Sequence, residues 1–180
     1  MKSSAKQDFV MPIVVLTVIC LIITAALAVT NNFTAPVILQ ASIERAEAAR
    51  TEIIPEAEGF ELMEVEGLSD AAPSVTEVYK TTNDCGYIFM LSTTGYGGTM
   101  SLICGIDNDG KIIAVKTLAH SETKGMGSKT AEEPFRSQFI GKDENLDGVE
   151  AISGATISSK AYLGAIADAF AAFNLVTGVK

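Results

Sequence analysis

The stretch ISGATISSKAY, Ile152 to Tyr162, sets Ser153, Gly154, Ala155 and Thr156 in a row, adds Ser158 and Ser159, and only then resumes an amphipathic pattern. Ser and Thr oxygens accept bonds from the first free N–H groups of a helix, so Ser158 or Ser159 can cap a C-terminal helix. That places Thr156 just before a helix N-terminus, where unpaired N–H groups and the helix dipole favour an anion, above all a phosphate. Gly154 permits an unusual turn and Ala155 keeps bulk away. Two readings fit these residues. Either Thr156 is a hydroxyl left open for attachment beside an anion site, or the string is a turn followed by a plain cap.

A second group lies in HSETKGMGSK, His120 to Lys129. His120 is the only histidine, and Ser121 and Glu122 adjoin it. Neighbours in sequence do not form a catalytic triad, so nucleophilic hydrolysis is not expected. Gly125 and Gly127 make a tight, exposed backbone passage. Glu122 can close this loop as a hydrogen-bond acceptor, and Lys129 is either near a phosphate or simply solvated. The three cysteines include no CxxC pair, too few thiols for an iron–sulfur cluster or a structural zinc. Cys20 reads as a small apolar residue, whereas Cys85 and Cys104 flank a hairpin and can pair outside the cytoplasm. Asp107, Asn108 and Asp109 resemble the opening of a calcium loop, but no Glu follows at the required place. No catalytic residue and no metal ligand is expected.

The elements that position these residues start with Phe9 to Val29, a run without charge that spans about 31 Å at helical rise, enough for a hydrocarbon core of roughly 30 Å. Ala26-Leu27-Ala28 resembles a signal cleavage site, yet the run exceeds the ~7–15 apolar residues of a signal peptide, which favours a retained anchor. Lys2 and Lys6 precede it and the next basic residue is Arg45, so the N-terminus is expected in the cytoplasm and Thr30 onward outside. The net charge of −9, carried mostly beyond the span, argues against nucleic acid and anionic lipid headgroups as partners. Asn31 to Pro36 reads as a new helix start with Thr34 as cap, leading into a connecting helix from Val37 that Pro55 stops. That helix is expected to carry the domain away from the membrane.

From Ser74 the texture is β: VTEVYKTT alternates, GYIFMLSTT and TMSLICGID are apolar, and Asp107 to Gly110 supplies a hairpin turn into KIIAVKTL. A helix is expected over about 130–139 with Phe135 and Phe139 on one face, and a last helix carries the stripe Tyr162, Ile166, Phe170, Phe173 into the core. The fold class is α+β: one N-terminal transmembrane helix, then an extracytoplasmic domain with an antiparallel sheet and flanking helices. Its parts are 1–8 cytoplasmic, 9–30 transmembrane, 31–73 connecting helix and acidic loop, and 74–180 the domain.

The anchor, GYGGTMSLICGIDNDGKI, HSETKGMG and EAISGATISSKA together, in order, resemble the FMN-binding domain family found in the G subunit of the Rnf complex and shared with the C subunit of the sodium-pumping NADH:quinone reductase. The resemblance implies FMN joined through its phosphate to Thr156 as a phosphoester, with Ser153, Gly154 and Ala155 as the motif and Ser158 nearby. It implies a separate flavin transferase that uses FAD as donor. It also places Glu122, Thr123, Gly125, Met126 and Gly127 beside the flavin ring, Thr123 able to hydrogen-bond and Met126 able to cover an apolar face. Two positions depart from the family pattern: Glu150 replaces an Asp, and Lys124 replaces a Pro. The implied role is an electron carrier, without independent catalytic activity, in a cell-membrane ferredoxin:NAD+ oxidoreductase that translocates ions. Its partners are then the other membrane and peripheral Rnf subunits and the lipid bilayer. The quinone-reductase homologue, a stand-alone anchored FMN protein and a non-redox anchored binding module are the alternatives.

Overall fold

Five strands follow one another through hairpins and pair in chain order, every neighbour antiparallel. The computed structural model describes residues 4–178. In chain order the elements are α1 (Ser4–Ile53), β1 (Phe60–Met63), α2 (Leu68–Ala71), β2 (Val75–Thr81), β3 (Tyr87–Thr94), β4 (Thr99–Ile106), β5 (Ile112–His120), α3 (Glu133–Arg136) and α4 (Thr156–Thr177). Short 3-10 turns at Gly127–Ala131 and Ser137–Phe139 flank α3. The chain is thus α+β, and its two compact units divide between Glu44 and Arg45.

Over its described residues the first unit is helix alone. It is long and apolar enough to cross a membrane, and its large apolar side chains from Val10 onward are exposed. The sequence predicts a fresh helix start at Asn31 to Pro36, but α1 runs through that stretch with Pro36 inside it. The reason lies in the threonines. Thr34 Oγ1 donates to the Thr30 carbonyl at 2.9 Å, and Thr30 Oγ1 does the same to Ala26. A hydroxyl bonded back onto the preceding turn does not cap a new one.

In the second unit both faces of the sheet are covered. On one, Phe89, Leu91, Leu102, Cys104 and Ile106 pack against Tyr162, Ile166, Phe170 and Phe173 of α4. On the other, Ile88 and Ile103 meet Ala49, Ile53 and Ile54 at the end of α1. Burial on both faces explains why β3 and β4 read as continuous apolar runs rather than alternating ones. Gly105, paired with Ile88, has no side chain because a Cβ there would overlap Ile53. The α4 stripe is 0–5 % exposed, and each side chain is worth roughly 1.5–3 kcal/mol of burial. Phe135 and Phe139 join it, each with its ring centroid within 5.4 Å of the Tyr162 ring's.

The β4–β5 turn is built as its residues dictate. Gly110 takes φ 75°, and Asp107 Oδ1 accepts from the N–H groups of Asp109 and Lys111 at 2.9 and 2.8 Å. The single helix expected over 130–139 is instead broken, because Glu132 is extended at φ −84°, ψ 151°. Pro134 has no N–H for the preceding turn, so it fits only in the first turn of a helix that starts anew at Glu133. Cys85 and Cys104 do not pair: all three cysteines are free, and these two belong to opposite faces of the sheet. Burial pushes the Cys104 thiol well above its usual range.

Candidate functional site

The turn before α4 is closed by the Ala155 N–H donating to the Ile152 carbonyl at 3.0 Å, and Gly154 supplies φ 81° inside it. Thr156 is the first residue of α4, and no side chain caps that helix. Ser158 and Ser159 are therefore not caps, contrary to the sequence expectation. They sit within the first turn, 1 % and 0 % exposed, and reach to other segments. Ser159 Oγ accepts from the Ile152 N–H at 3.0 Å and so ties the turn to the helix. Ser158 Oγ accepts from the Tyr96 N–H at 3.5 Å. With both serines engaged elsewhere, the opening N–H groups of α4, at Thr156, Ile157 and Ser158, are left without an intrahelical partner.

Facing this helix start is the loop after β5. Glu122 is 8 % exposed, and its Oε2 accepts from the Gly97 N–H at 3.2 Å. A Cβ at Gly95 would overlap Oε1, and one at Gly127 would overlap Oε2. One at Gly97 would stand 2.6 Å from the Ser121 carbonyl oxygen and 2.8 Å from the Glu122 Cα. The carboxylate therefore lies in a cradle that exists only because three residues lack side chains. Its second oxygen, Oε1, is buried without a hydrogen-bond partner.

Between loop and helix lies a cleft of about 400 Å³. Glu122, Thr123, Met126 and Gly127 line one side, and Gly154, Ala155, Thr156 and Ser158 the other. Of the remaining residues named from the sequence, Ser153 and Gly125 belong to the same two turns but do not line the cleft. Tyr96 and Ile157 do line it and were missed. The available signal was the GYGG string, where an aromatic flanked by glycines in a turn has no core to enter. Tyr96, Ile157 and Met126 are 74 %, 58 % and 53 % exposed, so the cleft offers apolar surface at its mouth.

Its lining carries one charged side chain, Glu122, and neither Lys nor Arg. An anion at Thr156 is thus met by backbone N–H groups rather than by a cation. Lys129 lies instead in a neighbouring groove with Glu132, Gln138 and Glu150. His120 is exposed at the end of β5, where its Nδ1 accepts from the Glu122 N–H at 3.3 Å. It does not line the cleft. Among the described residues no three His, Cys, Asp or Glu side chains are grouped to hold a metal ion.

Comparison with known proteins places these features in a family. Residues 95–171 match the FMN-binding domain family, a stretch that begins at the first glycine of the cradle and ends within α4. Over 175 residues the chain is 31% identical to the G subunit of the ion-translocating oxidoreductase complex of Methanosarcina acetivorans, covering 91% of this chain and 93% of that one. It is 28% identical over 175 residues to the G subunit of the proton-translocating ferredoxin:NAD(+) oxidoreductase complex of Clostridium ljungdahlii, covering 92% and 91%. The G subunit of the Na(+)-translocating ferredoxin:NAD(+) oxidoreductase complex of Acetobacterium woodii is 30% identical over 177 residues, covering 84% and 85%.

The residues present fit FMN. The cleft offers free N–H groups for a phosphate at α4 and apolar side chains for a flat ring. Its volume lies at the lower end of the usual range for small-molecule sites.

Proposed function

The chain belongs to the family of G subunits of ion-translocating oxidoreductase complexes, and from that premise we propose that it is the FMN-carrying electron relay of such a complex, with the flavin esterified to Thr156. One observation carries the reading: the exposed Thr156 hydroxyl sits at a helix start without a side-chain cap and opens into a cleft with apolar walls.

Each residue then has a task. Thr156 would supply the hydroxyl that a separate flavin transferase esterifies with FAD as donor, the Oγ1–P bond replacing the pyrophosphate P–O bond with AMP as the leaving group. The N–H groups of the first turn of α4 would hold the phosphate, and the helix dipole would add to that attraction. Gly154 and Ala155 keep side chains off the approach to the hydroxyl. Met126, Ile157 and Thr123 would bound the ring and limit its contact with water. Glu122 fixes the loop through Gly97 and so holds that wall of the cleft in place. FMN, when bound, supplies one- and two-electron transfer, and the protein sets its position and potential.

In this reading residues 9–30 anchor the chain by a single pass in the cell membrane, with residues 1–8 cytoplasmic and the domain of residues 74–180 outside. Residues 31–73 connect the two. A covalent bond matters there, because a flavin that dissociated on the outside would be lost by dilution. The partners are the other subunits of an Rnf-type complex, which couples ferredoxin:NAD+ electron transfer to ion movement.

The test is co-expression of the full chain with a flavin transferase, followed by denaturing-gel fluorescence. Wild-type protein gives a fluorescent band and Thr156→Ala gives none, while the two share the same far-ultraviolet circular dichroism. A fluorescent Thr156→Ala band overturns the assignment.

A further inference from the structure

Tyr96 presents a ring without a packing partner on a closed turn beside the cleft. The side chain is 74 % exposed. Its own N–H donates to Ser158 Oγ at 3.5 Å, on the helix that begins at Thr156, and the next N–H, of Gly97, donates to Glu122 Oε2 at 3.2 Å on the facing loop. The Gly95 N–H closes the turn on the Gly98 carbonyl at 2.9 Å. The peptide that carries Tyr96 is thus tied to the Glu122 loop and lies in long contact with the start of α4.

The neighbouring residues are chosen for this placement. Gly95 and Gly97 flank Tyr96, and neither position has room for a side chain against Glu122 and its loop. Both lack the positive φ that alone would call for glycine, so the requirement is close approach and not backbone conformation. A tyrosine spends its hydrophobic area well in a core or an interface, and here it lines a cleft with Met126 and Ile157. A flat, electron-poor ring is the ligand chemistry that such a phenol matches.

We propose that Tyr96 is the stacking wall of the cleft: its phenol packs on the flavin ring, positioned by Ser158 and by the Glu122 clasp. The inference rests on the FMN reading above and adds to it a residue that tunes the ring. Stacking excludes water from the covered face. The electron-rich π face also disfavours added electron density on the ring, so Tyr96 holds the flavin's midpoint potential down.

The experiment uses the full chain loaded by co-expression with a flavin transferase, as wild type, Tyr96→Leu and Tyr96→Phe. An electron-rich phenol in contact quenches flavin fluorescence, whereas an aliphatic side chain does not. Tyr96→Leu is expected to keep the full flavin complement by absorbance, lengthen the mean fluorescence lifetime severalfold, and move the midpoint potential to more positive values. Tyr96→Phe keeps the visible circular dichroism of the stacked ring but loses much of the quenching. Glu122→Ala, which releases the Gly97 N–H, gives part of the lifetime increase with Tyr96 intact. A fully loaded Tyr96→Leu protein with wild-type lifetime and potential overturns the inference and leaves the FMN reading standing. Wild-type protein that carries no flavin overturns that reading and this one with it.

Discussion

Gly127→Ala is a small change with a cost that can be worked from the packing around Glu122. Gly127 does not have a positive φ, so alanine meets no conformational penalty there. The new methyl would overlap Glu122 Oε2 and stand 2.8 Å from its Cδ and 3.0 Å from its Cβ. Turning the carboxylate about its terminal bond moves Oε2 but leaves the Cδ contact at 2.8 Å. The side chain must leave the cradle and give up the Gly97 N–H, and a hydrogen bond to a carboxylate is worth about 1.5–3 kcal/mol. At about 4 °C per kcal/mol for a domain of this size, Gly127→Ala should lower the melting temperature by roughly 6–12 °C. The assay is thermal unfolding of the detergent-solubilised full chain followed by near-ultraviolet circular dichroism. Glu122→Ala removes the Oε2 and Cδ that clash and leaves only the Cβ contact at 3.0 Å, so Gly127→Ala should cost much less in that background, a coupling of about 2 kcal/mol in a double-mutant cycle. Additive losses, or a Gly127→Ala protein as stable as wild type, would refute the cradle.

Two further outcomes follow from buried groups. Burial raises the ionisation of Cys104 and Tyr162 above their usual 9.0 and 10.0, so the folded state holds protons that the unfolded chain releases. Their contribution to stability is complete below those usual values and declines as pH rises through them, by up to about 1.4 kcal/mol per pH unit for each group. Urea unfolding at pH 8 to 11 should record that decline, and Cys104→Ala should flatten its first part; an unchanged pH profile in Cys104→Ala would contradict it. Thr81, 2 % exposed, accepts from the N–H groups of Cys85 and Gly86 at 2.7 and 3.1 Å and donates to the Gly86 carbonyl. Thr81→Val keeps the shape and loses these bonds, so urea unfolding should show a loss of about 2 kcal/mol, and none if the β2–β3 turn holds itself.

Local chemistry made much of the fold legible. Asp107 to Gly110 needed nothing beyond its own backbone to declare a turn, and Tyr162, Ile166, Phe170 and Phe173 declared a buried face by spacing alone. The features that were misread depend on partners outside the local pattern. Thr34 looks like a cap until its hydroxyl is seen bonded to Thr30 within a continuing helix. Ser158 and Ser159 look like caps, yet their oxygens serve Tyr96 and Ile152. In the site, the small-residue turn before Thr156 and the loop from Glu122 to Gly127 could be singled out from their own residues. That Gly95 and Gly97 are glycines because of a carboxylate at Glu122, and that this sets Tyr96 at the cleft, is a contact between segments that no local pattern encodes.

The bond between flavin and protein can be read directly by proteolysis and peptide mass analysis of the full chain co-expressed with a flavin transferase. The peptide holding Ser153 to Thr156 should carry the mass of one FMN less water, with fragmentation placing it on Thr156, and the Thr156→Ala peptide should be unmodified. The same peptide recovered unmodified from wild-type protein, or the added mass found on Ser153, Ser158 or Ser159, would contradict attachment at Thr156.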